Sequence, residues 1–216
     1  MLALQNISKA YRGPAGRVDV LRDFDLKLTS GDLAVIQGPS GCGKSTLLFT
    51  AGAMLPPDQG NVQLMHDSIY DMSRARRSHL RAQRIGFIFQ RFHLIPYLNV
   101  EENILWPLRW NENEAGMGHR FIELSERLGI RHRFAHRPDQ LSAGELQRVA
   151  VARALMGGKQ LICADEPTGN LDEDNAALVI DVLREEAERG CMVLLVTHQR
   201  VLAHLGNIYL DMGGER

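Results

Sequence analysis

The sequence predicts an α/β fold carrying an inserted helical segment and an antiparallel sheet, and three features lead to it. Leu33 to Gln37 is a short apolar stretch that runs into Gly38-Pro39-Ser40-Gly41-Cys42-Gly43-Lys44-Ser45-Thr46, which satisfies G-x-x-x-x-G-K-[ST], and a helix is expected over 44–53. Two further apolar runs, 161–164 and 192–196, read as strands buried on both faces. From 100 to 160 the apolar residues recur at helical spacing, with no strand candidate.

The phosphate loop comes first because it dictates chemistry. Its glycines let the backbone turn so tightly that successive N–H groups point inward, and the helix start adds its positive dipole end. A nucleoside triphosphate is then bound largely by main chain. Lys44 is expected at the β- and γ-phosphates, Ser45 on Mg²⁺, and Thr46 on a phosphate oxygen. Cys42, inside this cradle and near a helix N-terminus, is expected to be a reactive thiol that MgATP protects.

The chain has 216 residues, 25 Lys and Arg against 26 Asp and Glu, and a formal net charge of -1. That balance gives no electrostatic reason to expect a nucleic-acid partner, and the arginine-rich stretch 74–84 reads as a solvated helix face. The cysteines, Cys42, Cys163 and Cys191, are far apart and form no C-x-x-C pair, so a disulfide framework or zinc site is not indicated and a reducing cytoplasmic setting fits. No apolar run approaches the roughly eighteen residues of a membrane span and no N-terminal signal pattern occurs, so any membrane work would need another chain.

In chain order, 2–8 and 18–28 alternate apolar and polar residues as half-buried, antiparallel strands do, with a turn expected at Tyr11-Arg12-Gly13-Pro14. Tyr11 is either a ring that folds over a nucleotide base or a tyrosine packed at a strand end. A strand is expected at 61–65, a basic helix at 73–84 and a buried strand at 85–89; Gln90 at its exit is a candidate for a metal or water contact. Ser142, with Glu145 three residues later, forms a capping box at the head of an amphipathic helix. The run 161–164 then delivers Asp165 and Glu166 to a strand end. After a phosphate loop this is a Walker B strand, with Asp165 holding Mg²⁺ through water and Glu166 acting as general base on the attacking water. A turn at 167–172 leads into a helix over 173–189 and a last buried strand ending in His198, whose imidazole would reach the γ-phosphate if that strand lies beside the loop strand.

These pieces in this order, with Leu141-Ser142-Ala143-Gly144-Glu145 between loop and Walker B strand, resemble the ATPase subunit of ABC transporters over practically the whole chain. The resemblance implies a P-loop NTPase core with antiparallel β subdomain (1–90 and 160–216) and a helical subdomain (about 91–159). It makes Tyr11 the base-stacking aromatic, Gln90 the Q-loop glutamine, Asp172 the D-loop aspartate and His198 the switch histidine. Glu166, His198, Lys44 and Gln90 would be catalytic, and Mg²⁺ would meet Ser45, Gln90 and Asp165. It further implies a head-to-tail homodimer around ATP, in which Ser142, Ala143, Gly144 and Glu145 complete the partner's site, and an integral membrane permease on another chain. Residues 89–104 and 167–172 resemble the branch serving macrolide export, lipoprotein release and cell division. Ala143 stands where the family has glycine, which is tolerable only with negative φ. Phe92, Leu94, Ile95, Tyr97 and Trp106 are expected to form the apolar surface that receives the permease.

Overall fold

Two sheets carry the fold of this computed structural model, which describes residues 1–13, 16–110, 116–169, 171–199 and 204–213. In spatial order the larger sheet holds β6 (Ile85–Ile88), β7 (Leu161–Asp165), β8 (Met192–Thr197), β3 (Leu33–Gln37) and β9 (Ile208–Asp211), every neighbouring pair parallel. The smaller sheet is antiparallel, in the order β2 (Gly16–Leu28), β1 (Leu2–Gly13), β4 (Gln59–Leu64), β5 (Asp67–Ser68). The helices are α1 (Lys44–Ala51), α2 (Arg74–Arg84), α3 (Val100–Leu105), α4 (Met117–Arg127), α5 (Ala143–Leu155) and α6 (Glu173–Glu188).

The central strands are apolar up to their last residue because both faces are covered. In β3, Leu33 and Val35 join one core with residues of α3, α4, α5 and α6, while Ala34 and Ile36 join a second core with α1 and the antiparallel sheet. β8 divides the same way, Val193 and Leu195 to one side and Met192, Leu194 and Val196 to the other. Gly86 lets α5 approach β6, since a Cβ there would stand 2.1 Å from the Ala154 carbonyl oxygen. The arginines of α2 are tied to their surroundings: Arg77 lies over the Tyr70 ring, Arg81 donates to the Ala53 carbonyl and Arg84 pairs with Asp67.

Three expectations need correction. Tyr11, Arg12 and Gly13 belong to β1, with Tyr11 opposite Val18, where a turn was expected. Register shifts between Leu4 and Ala10 break the alternation that would have revealed the strand's full length. Pro14, in that expected turn, and Asn170, in the expected turn at 167–172, lie outside the described residues. The strand 192–197 is not the last, because β9 follows it on the far side of β3; this edge strand alternates half-buried and exposed residues and has no apolar run to announce it. Cys42 is buried, 7% exposed, its sulfur lying where a Cβ on Gly38 would clash, so the expected nucleotide-sensitive labelling lacks an accessible thiol.

Candidate functional site

The phosphate loop leaves β3 after Gln37 and ends at the head of α1. Gly41 and Gly43 take positive φ, 81° and 109°, and a Cβ on Gly43 would lie 2.7 Å from Val20 Cγ1. Gly43 is the N-cap of α1 and offers no side-chain acceptor, and the first turn holds no acidic residue. The helix start therefore has N–H groups that no side chain satisfies, which suits an incoming anion. Lys44 is buried, its Nζ donating to the carbonyls of Gly38 at 2.7 Å and Pro39 at 3.0 Å. The ammonium is thereby held against its own loop, where phosphate oxygens would be charged partners.

Tyr11 reaches this loop from the antiparallel sheet: its hydroxyl is 3.3 Å from Thr46 Oγ1, and the residue is 43% exposed.

Asp165 closes β7 and accepts a hydrogen bond from Ser45. Burial pushes its carboxyl pKa up, the Ser45 bond works against that, Glu166 raises it further and Lys44 lowers it. A hydroxyl and a carboxylate in contact form a hard-oxygen donor pair that fits Mg²⁺. Gln90, exposed, leaves β6 on the neighbouring strand.

Glu166 is buried and has φ 47°. Both carboxylate oxygens are held: Thr197 Oγ1 donates to Oε2 at 2.9 Å, and His198 Nδ1 is 2.7 Å from Oε1. An ionised carboxylate only accepts, so Nδ1 carries the hydrogen of that pair. The parallel pairing of β7 with β8 and of β8 with β3 puts Glu166, Thr197 and His198 at one end of the sheet with the phosphate loop. Thr197 was missed by sequence reasoning; the available signal was a hydroxyl ending a strand otherwise apolar throughout.

The capping box is formed as expected. Glu145 Oε2 accepts from the Ser142 N–H at 2.8 Å, Ser142 Oγ accepts from the Glu145 N–H at 3.3 Å, and Arg133 Nε donates to Glu145 Oε1 at 2.7 Å. These bonds, the Ser142 N–H first, hold the Glu145 carboxyl at about 2 against the effect of burial. Ala143 has negative φ, which meets the condition for alanine there. Asp172 is the N-cap of α6, accepting from the Asn175 N–H at 2.9 Å. Among the described residues no hydrogen bond or ion pair joins 142–145 or Asp172 to the phosphate loop.

Residues 21–169 match the family model for ABC transporters. The chain belongs to that family. It is 42% identical over 205 residues to a lipoprotein-releasing system ATP-binding protein, LolD 1 of Rhodopirellula baltica, spanning 94% of this chain and 90% of LolD 1. It is 38% identical over 204 residues to the macrolide export ATP-binding/permease protein MacB of Photorhabdus laumondii, covering 94% of this ABC chain but only 32% of MacB. A solved dimeric structure of the ATP-binding cassette MJ0796, in a post-hydrolysis state with ADP and Pi, matches with a TM-score of 0.89 at 35% identity, covering 99% of this chain and 95% of that one. The chain is thus an ABC-type ATPase that binds ATP. Among the described residues no helix is long and apolar enough to cross a membrane.

Proposed function

We propose that this ABC ATPase powers a membrane permease of the exporter or lipoprotein-releasing kind, working at the inner face of the membrane as a homodimer when ATP is bound. The setting of Glu166 supports the hydrolytic part: a buried carboxylate at the strand end beside Asp165 and Ser45, with both oxygens held. Each oxygen has one lone pair engaged and one to spare, so Glu166 can take the proton from an attacking water without losing its supports. With Nδ1 donating to Glu166, His198 can also donate to a γ-phosphate oxygen only as an imidazolium, through Nε2.

In this reading the backbone of Gly38, Pro39, Ser40, Gly41, Cys42 and Gly43 cradles the phosphates, Lys44 leaves the Gly38 and Pro39 carbonyls for the β- and γ-phosphates, Thr46 holds a phosphate oxygen and Tyr11 stacks on the base. Ser45, Asp165 and Gln90 would hold Mg²⁺, which neutralises charge on the transferring phosphoryl group when bound. The core comprises 1–90 and 160–216, and the helical part, about 91–159, carries α3, α4 and α5.

Residues 142–145 and Asp172 serve the partner chain's nucleotide. Gly144 supports this: an added Cβ would meet nothing closer than 3.5 Å and its φ is not positive, so the fold itself does not require glycine. Close approach from outside the chain does. LolD 1 is named for lipoprotein release and MacB joins a cassette to a permease, which is the kind of partner we assign. A groove of about 360 Å³, lined by Phe87, Phe89, Ile95, Trp106, Arg153 and Lys159 among others, would receive it together with the exposed Tyr97, two residues on from Ile95.

Trans completion is tested by mixing a Lys44→Ala chain with a Ser142→Arg chain. The intact loop of the second and the intact signature of the first should make one whole site and restore phosphate release or nucleotide trapping. If gel filtration shows exchanged partners and neither returns, trans completion is refuted.

A further inference from the structure

Gly144 lies over a polar cluster that ties the signature segment to the turn carrying Asp172. A Cβ on Gly144 would stand 3.5 Å from Arg148 Nη1, 3.7 Å from Asn175 Nδ2 and 3.8 Å from Leu171 Cδ2. Arg148, one turn further along α5, donates through Nη1 to Asn175 Oδ1. Asn175, in the first turn of α6, donates through Nδ2 to both Asp172 oxygens, at 2.9 and 2.7 Å, and its backbone N–H donates to Oδ1 at 2.9 Å.

A single amide is therefore acceptor to one helix and donor to the cap of the next. No other side chain of that length does both: aspartate would lose the donors and repel Asp172, and alanine would lose everything but the backbone bond. Arg148 Nε is buried with no hydrogen-bond partner, and Nη1 finds its acceptor in Asn175.

We propose that Asn175 is a positioning residue for the half-site that this chain lends its partner. It fixes 142–144 and Asp172 in one relation, so the two reach the partner's nucleotide as a unit. The proposal rests on the trans reading above and extends it to a residue that touches no nucleotide.

The mixed pair separates this role from a general effect on folding. In the Lys44→Ala and Ser142→Arg mixture, the whole site takes its signature from the Lys44→Ala chain. Asn175→Ala placed on that chain should lower phosphate release about tenfold, whereas on the Ser142→Arg chain it should change it less than twofold. Equal losses in the two arrangements, or none in either, overturn the proposal. Asn175→Asp, which keeps an acceptor for Arg148, should reproduce the one-sided loss; full activity with Asp on the Lys44→Ala chain would overturn the claim that both contacts matter. An inactive parent pair whose chains have exchanged refutes the trans reading first, and the proposal falls with it.

Discussion

His198 Nδ1 lies 2.7 Å from Glu166 Oε1, bridging the ends of β8 and β7, while Thr197, the residue before His198, holds the other oxygen. Parallel register brings this about: Asp165 pairs with Val196, so the residues that leave the two strands meet. Glu166 adopts a left-handed backbone, φ 47°, that costs a non-glycine residue of order 1 kcal/mol or more and persists because its surroundings fix it. Two adjacent residues at the end of one strand thus aim one carboxylate just past the end of the next.

Thr197→Val keeps the shape and removes one of these supports. Turnover should fall about tenfold while the KM for ATP stays within about threefold, because the loss concerns orientation of the base and not ATP binding. Steady-state kinetics decide it, and unchanged turnover would leave Glu166 positioned by His198 alone.

Asp165→Asn should raise the melting temperature of the ligand-free protein at neutral pH while abolishing hydrolysis. The Asp165 pKa is raised above its ordinary 3.8, chiefly by burial, so the ionised form is disfavoured in the fold. The sign follows: the folded state holds the proton more tightly than the unfolded chain, so this group favours folding at low pH and weakens it as pH rises above about 3.8. MgATP should stabilise the variant less than the wild type. A lower melting temperature for ligand-free Asp165→Asn would contradict the burial argument.

Glu145 carries the opposite sign. Its pKa, lowered to about 2 from 4.5, gives stability that is present above about 4.5 and lost as pH falls toward 2. Glu145→Ala should cost about 1–2 kcal/mol at pH 7 through loss of the capping box and the Arg133 pair. Glu145→Gln keeps an acceptor for the Ser142 N–H and should cost less. Melting curves from pH 7 to pH 2 check both, and the gap between wild type and Glu145→Ala should narrow steadily below about pH 4.5.

Much of the catalytic end was legible because it is local. The phosphate loop, the capping box and the run into Asp165 and Glu166 each occupy a few consecutive residues, so spacing alone finds them. What escaped depends on distant chain: the Glu166 support from Thr197 comes from 31 residues away, and β9 is a strand only because β3 offers it an edge. Burial escaped for the same reason. Cys42 looked exposed in a loop but is covered, and the apolar set after Gln90 is divided, with Leu94 packed on the core and Tyr97 70% exposed.

That division alters what a docking test should show. Leu94→Asp should lower the melting temperature by burying a charge, whereas Tyr97→Asp should leave it unchanged and abolish co-purification with the permease. Equal co-purification of wild type and Tyr97→Asp would move the docking surface elsewhere.

The central claim is that Glu166 is the base of an ATPase. Glu166→Gln keeps the size and an acceptor for Thr197 but cannot take the proton, so single-turnover hydrolysis of bound ATP should fall about 10²- to 10⁴-fold. ATP binding should survive, and the variant should elute with ATP as a dimer. Hydrolysis within about twofold of wild type, with ATP bound equally well, would contradict the account.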